Sequence, residues 1–156
     1  MQKFIDVLSS KLGVNSSDWD SGIARQSVNV PVDERMKKHY TDVMRDKVVF
    51  DICTGSYCLQ FSQDSNTTLE LGIIEVFEPG KGLGTEIMNH ILDVADELGI
   101  TIKTIPAPIV AEEEIFHGKP NPQAFKTIQR LRRYYSSLGF KFSILTKAVM
   151  YYKPQK

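Results

Sequence analysis

Three alternating glycines in Gly80-Lys81-Gly82-Leu83-Gly84, followed by Thr85, offer the plainest chemistry in this chain. Glycine lets backbone N–H groups come close to a ligand. A helix that begins after such a turn adds unpaired donors and roughly half a positive charge. The turn follows an apolar stretch, Leu69–Phe77, and precedes an amphipathic one opening at Thr85. It therefore reads as a strand–turn–helix junction suited to a phosphate or another anion. A Walker-type loop needs GxxxxGK followed by Ser or Thr, and no segment has that spacing. A dinucleotide fingerprint needs a third glycine where Thr85 stands and an acid ending the next strand, Ile100–Ile105, which has none.

The elements that would hold this turn follow from periodicity. Phe4, Ile5, Leu8 and Leu12 recur at helical spacing before Gly13, and a second helix is expected over Asp33–Arg45 behind Pro31. Residues 14–32 are mixed and polar and give no clear assignment. Lys47–Cys53 and Tyr57–Ser62 read as a hairpin with Gly55-Ser56 as a type II′ loop. The turn 63–66 feeds the long strand, with Glu70 outward between Leu69, Leu71 and Ile73. The helix over 84–98 turns Ile87, Ile91, Val94 and Ala95 inward, and Ile100–Ile105 is expected parallel to the first strand through a right-handed crossover. A proline-rich, acidic loop spans 106–121. Asn121 and Pro122 then start a helix carrying Phe125, Ile128, Leu131 and Tyr135 inward, and Phe140–Ile144 with Ala148–Tyr152 close the chain as an antiparallel pair.

The totals are those of one ordinary globular domain. The chain has 156 residues, 42% hydrophobic and 24% charged, with 19 basic and 19 acidic residues. That balance gives no field to draw nucleic acid or an anionic membrane, and neither partner is expected. No apolar run approaches a bilayer span, and the N-terminal stretch reads as an amphipathic helix rather than a signal peptide, so the expected compartment is the cytoplasm. Cys53 and Cys58 are expected reduced, although the hairpin register also admits a disulfide. No metal site is expected beside them.

The remaining reading of the glycine turn is a pyrophosphate cradle of the coenzyme A type, and here a family resemblance enters. Gly80-Lys81-Gly82-Leu83-Gly84-Thr85 resembles motif A of the GNAT superfamily of N-acetyltransferases, (Gln/Arg)-x-x-Gly-x-Gly/Ala. The strand LELGIIEV resembles that family's fourth strand, and Tyr135-Ser136-Ser137-Leu138-Gly139-Phe140 resembles its late Tyr-x-x-Leu-Gly-Phe element. The resemblance spans roughly Val48 to Tyr152. It implies an α/β fold: a central mixed, largely antiparallel sheet with one parallel βαβ crossover and helices on both faces. Residues 1–45 would be a variable helical part and 46–153 the cofactor-binding core.

The resemblance further implies acetyl-CoA as donor, no metal, and an amine acceptor: a small molecule, a peptide or a protein lysine. A homodimer is left open. By position, the backbone amides of Gly80, Lys81, Gly82, Leu83, Gly84 and Thr85 would hold the pyrophosphate, and Ile74, Glu75 and Val76 would pair with the pantetheine arm. Tyr135 would be the general acid and Glu70 the general base, with Glu75 and Glu78 as competitors. The chemistry is consistent, because an amine must lose a proton before attack and a phenol stays protonated at neutral pH. The alternative is a GNAT-fold protein that binds an acyl-CoA or a protein partner without catalysis.

Three departures accompany the match. Pro79 occupies the Gln/Arg position and has no N–H. The loop before Gly80 is about two residues short, and Asn121 lies too far from Tyr135 to be carried over. The run Glu112-Glu113-Glu114 is read as a solvated loop or an attractor of cationic acceptors, and His117 as a surface residue. Lys126, Arg130, Arg132 and Arg133 form a basic face that either meets the coenzyme's 3′-phosphate or stays in water.

Overall fold

The computed structural model describes residues 1–23, 48–106, 115–116, 119–120, 122–145 and 148–155. Helix α1 (Gln2–Leu12) is followed by a short 3-10 turn, Ser16–Asp18, and by strand β1 (Asp20–Ile23). Strands β2 (Val48–Cys53), β3 (Tyr57–Gln63) and β4 (Thr68–Val76) form a meander. Helix α2 (Leu83–Leu98) leads to β5 (Thr101–Thr104). A small separate pair, β6 (Ile115–Phe116) and β7 (Lys119–Pro120), precedes α3 (Pro122–Ser137), and β8 (Lys141–Phe142) and β9 (Met150–Tyr152) end the chain.

The main sheet has the order β1-β2-β3-β4-β5-β9-β8, and every neighbour is antiparallel except β4 with β5. The expected α/β architecture, a largely antiparallel sheet with one parallel crossover, is the one observed. One row crosses the sheet through Phe50, Phe61, Leu71, Thr104 and Met150, each the direct partner of the next. All five are buried, so this face is the core face. Residues paired across strands share a face, so the adjacent row through Ser62, Glu70, Lys103 and Tyr151 lies on the other side.

The described helices meet the core face. Phe4 of α1 sets its ring edge-on to Phe61 at 5.3 Å. Ser9 anchors the same helix: its hydroxyl donates to the Ile5 carbonyl at 2.6 Å and accepts from the Trp19 indole at 2.8 Å. Ile87, Met88, Ile91, Val94 and Ala95 form the buried stripe of α2. Tyr135 of α3 packs on Phe140, and Phe140 on Tyr152. The second expected helix, Asp33–Arg45, lies outside the described residues, as do Glu112-Glu113-Glu114, His117 and Asn121.

Several expectations are corrected. The strand over Leu69–Phe77 does not alternate throughout. Gln60 pairs with Ile73 and Phe61 with Leu71, which leaves Gly72 as an extra, unopposed residue. This bulge shifts the phase by one, so Ile74 and Val76 fall on the side of Leu71, while Ile73 lies on the other face, 39% exposed. Helix α2 opens at Leu83 rather than Thr85, capped by Gly82.

The 53–58 hairpin has the expected loop length, but Gly55 is not in the positive-φ region that a type II′ turn demands. The Thr54 hydroxyl organises the turn instead, accepting from the N–H groups of Ser56 at 3.1 Å and Tyr57 at 3.2 Å. Cys53 and Cys58 are joined in a disulfide, not reduced. They face each other next to the hydrogen-bonded pair Thr54/Tyr57, where antiparallel strands bring Cα atoms closest, here 4.2 Å. The last strands are shorter than expected, and Ile144 lies beyond β8 in solvent.

Candidate functional site

The site begins where β4 and β5 part. Their ladder runs from Thr68/Thr101 to Leu71/Thr104, yet β4 continues to Val76. Residues 72–76 therefore have no strand partner on that side among the described residues, and by alternation Ile74 and Val76 turn their N–H and C=O to it. The Thr104 hydroxyl closes the end of the ladder by donating to the Leu71 carbonyl at 3.3 Å.

Beyond this point lies a cleft of about 440 Å³. Ile74 and Val76 form its β4 wall, turned inward by the Gly72 bulge. The glycine turn closes one end, with Gly80, Gly82, Leu83, Gly84 and Thr85 all on its surface. Leu131, Tyr134 and Tyr135 of α3 form the opposite wall.

The turn is built as a donor cradle. Gly80 and Gly82 hold φ of 89° and 81°, values that side chains rarely tolerate. Glu86 is the first residue of α2 whose N–H bonds back within the helix, to Gly82 at 3.0 Å. The N–H groups of Leu83, Gly84 and Thr85 thus have no acceptor within the helix. Gly84 has an ordinary backbone, and a Cβ there would meet only a Val76 methyl at 3.5 Å. Lys81 does not line the cleft, but it pairs with Glu78, which does.

Tyr135 is 5% exposed, and its hydroxyl shares a hydrogen bond with Thr104 at the parting of the strands. Burial pushes the phenol above its ordinary range and Tyr134 adds to this, against a smaller opposing effect of the Thr104 bond. The phenol therefore keeps its proton throughout the neutral range. Tyr134 stacks edge-on to Tyr135 at 5.6 Å, and its hydroxyl lies 3.4 Å from that of Thr85, tying α3 to the first turn of α2.

Glu70 is not in the cleft. It stands on the other face of the sheet, 3.3 Å from the Lys103 ammonium, which also donates to Asp64 at 3.3 Å. Burial pulls the Lys103 pKa down, but Glu70 and Asp64 together outweigh it and hold the ammonium above its usual value. Glu75, opposite Cys58, shares that outer face. Arg132 and Arg133 turn toward the β8–β9 hairpin rather than the glycine turn.

Thr104, Leu131 and Tyr134 were not singled out as site residues from the sequence. The spacing of Leu131, Tyr134 and Tyr135, one helical face at i, i+3 and i+4, was the signal available for two of them. Thr104 had none, since its role arises only where the parallel ladder stops.

No family model matches the chain, and no curated protein matches it. Among solved structures it is similar to the anti-CRISPR protein AcrVA5, at 17% identity and TM-score 0.48 over 67% of this chain and 98% of the other. It is similar to Ard1 from Thermoplasma volcanium, at 13% identity and TM-score 0.43 over 100% and 95%. A third is a GNAT family acetyltransferase from Elizabethkingia anophelis with acetyl-CoA bound, at 9% identity and TM-score 0.44 over 87% and 98%. At these scores the likenesses carry no weight about function. No described helix is long and apolar enough to cross a membrane.

Proposed function

We propose that this chain is an acetyl-CoA-dependent N-acetyltransferase. The observation that carries the reading is the run of β4 past the end of the β5 ladder, into a cleft that joins an open strand edge, a glycine donor turn and a buried phenol. The residues fit such a co-substrate. The amides of Leu83, Gly84 and Thr85 would bind its pyrophosphate with those of Gly80, Lys81 and Gly82. The open edge at Ile74 and Val76 would pair with the amides of its pantetheine arm, as an added strand does, while Glu75 between them spends its backbone groups on Cys58.

When bound, acetyl-CoA supplies an acetyl group activated as a thioester. Tyr135 holds a phenolic proton at the parting of the strands, where it can hydrogen-bond the departing sulfur. Glu70, on the outer face one residue before the β4–β5 ladder ends, would take the proton of an amine acceptor, directly or through water, once its hold on Lys103 is exchanged. The acceptor class is an amine.

The Glu70–Lys103 pair favours a second reading, in which the cleft binds an acyl-CoA without transfer, because it holds the carboxylate on the outer face of the sheet and away from the cleft. Calorimetric titration with acetyl-CoA followed by an amine-panel assay decides among these outcomes. No binding would refute both readings, and binding without turnover would leave the second. With turnover, Tyr135→Phe is expected to lower kcat about 10²-fold or more with little change in affinity. An unchanged kcat would remove the acid role.

A further inference from the structure

The far edge of the sheet carries features that the cleft does not use. Strand β8 is the outermost strand, and its outer side has no partner among the described residues. The Ser143 N–H donates inward to Val149 at 2.8 Å, so by alternation the N–H and C=O of Phe142 point outward. Two grooves of about 610 and 630 Å³ flank this strand, one against α3 and one against β9. The first is lined by Arg132 and Arg133, the second by Lys141 and Lys153, and no carboxylate lines either among the described residues.

None of these four cations has a carboxylate partner among the described residues. Arg132 lies over the Phe142 ring at 5.8 Å, and its Nε is buried without an acceptor. Beside them Phe142 is 43% exposed, while Ile144 and Leu145 stand almost wholly in solvent at 101% and 95%. In a chain with no net charge, this concentration of cations around the edge strand is local.

We propose that the β8 edge docks an extended acidic segment of a partner protein, added to the sheet as a further strand. Phe142 supplies the backbone N–H and C=O for the new ladder. Alternate side chains of an added strand point to opposite faces, so its carboxylates can reach Arg132 and Arg133 on one side or Lys141 and Lys153 on the other. The guanidinium forks suit carboxylates in particular, and the buried Arg132 Nε gains the acceptor it lacks. Apolar residues of the same segment would cover Ile144 and Leu145. A nucleic acid would use the cations but leave the aliphatic residues and the strand edge unmatched.

The test is fluorescence anisotropy with a labelled peptide of alternating glutamate and valine, and a lysine–valine peptide as control. The glutamate peptide is expected to bind and the lysine peptide not. Raising salt to about 0.5 M should weaken binding about tenfold or more, since these charges are exposed to screening. The double variant Arg132→Glu/Arg133→Glu should weaken it at least about tenfold, and N-methylation of alternate peptide amides should abolish it.

Should the arginine variant fail to fold by circular dichroism, Lys141→Glu/Lys153→Glu, at exposed positions, gives the same comparison. Absence of binding, indifference to both charge reversals, or full binding by the N-methylated peptide would overturn the proposal. So would tighter binding of a single-stranded oligonucleotide or of anionic phospholipid vesicles than of the peptide. Self-association of the wild type that Ile144→Asp abolishes would also overturn it, by assigning the edge to a second copy of the chain.

Discussion

Replacing Gly84 by alanine separates the structural and binding duties of the glycine turn. Gly84 is the second residue of α2 and has ordinary helical geometry, unlike Gly80 and Gly82. A Cβ there would touch only the Val76 methyl, at the ordinary distance of 3.5 Å. Alanine is favoured over glycine in helices by about 0.5–1 kcal/mol, less in the first turn, so Gly84→Ala should raise stability by up to about 0.5 kcal/mol. For a domain of this size that is about 1–2 °C in Tm.

The same methyl would stand in the cleft between Val76 and the α2 amides. A diphosphate held off those N–H groups loses charge-assisted hydrogen bonds worth about 1.5–3 kcal/mol each. Acetyl-CoA affinity measured by calorimetry should therefore fall at least about tenfold while the melting temperature holds or rises. Unchanged affinity would show that the missing side chain at Gly84 serves no ligand, and the cradle reading would fall with it.

Thr104→Val keeps the shape but leaves the Tyr135 hydroxyl and the Leu71 carbonyl short of a partner, which should cost about 1–3 kcal/mol in denaturant unfolding. Reduction of Cys53–Cys58 opens a small loop and should lower stability by about 2 kcal/mol, read as a shift in the denaturation midpoint between oxidised and reduced protein. Burial, and then the hydrogen bond to Asp96, push the Tyr152 phenol up to about 12. Its stabilising effect is therefore whole below pH 10 and is lost as pH rises toward 12, because the folded state holds the proton more tightly than the unfolded chain. Tyr152→Phe should flatten that alkaline decline in a pH series of thermal melts.

Much of the site is legible in the sequence. Gly80 and Gly82 declared the turn, and Leu83 to Leu98 its helix, because backbone permissiveness and a 3.6-residue stripe are local properties. The register of Cys53 against Cys58 followed from loop length alone. What stayed hidden depends on relations between strands. Gly72 inside an apolar run was a signal for a bulge that simple alternation through Ile73 overrode. Compartment argues for reduced cysteines, while the pairing of Cys53 with Cys58 favours the disulfide. Glu70 alternates as an outward residue should, but its partner Lys103 comes from a strand more than thirty positions on, and sequence spacing has no access to that pairing. Strand β1 escaped notice because Asp20–Ile23 has neither apolar alternation nor β-rich composition and exists by pairing with β2.

Gly72 has no opposite residue on β3 and stands one place past the last β4–β5 pair. Taking out that single residue would restore a regular ladder and leave Ile74 and Val76 facing as they do now, since the phase it corrects would vanish with it. What would go is the bend that a bulge imposes, at the very residue where β4 leaves β5. The bend belongs to β4 itself and falls where its pairing with β5 ends. A ligand strand added beyond Thr104 would thus follow the bent part of β4.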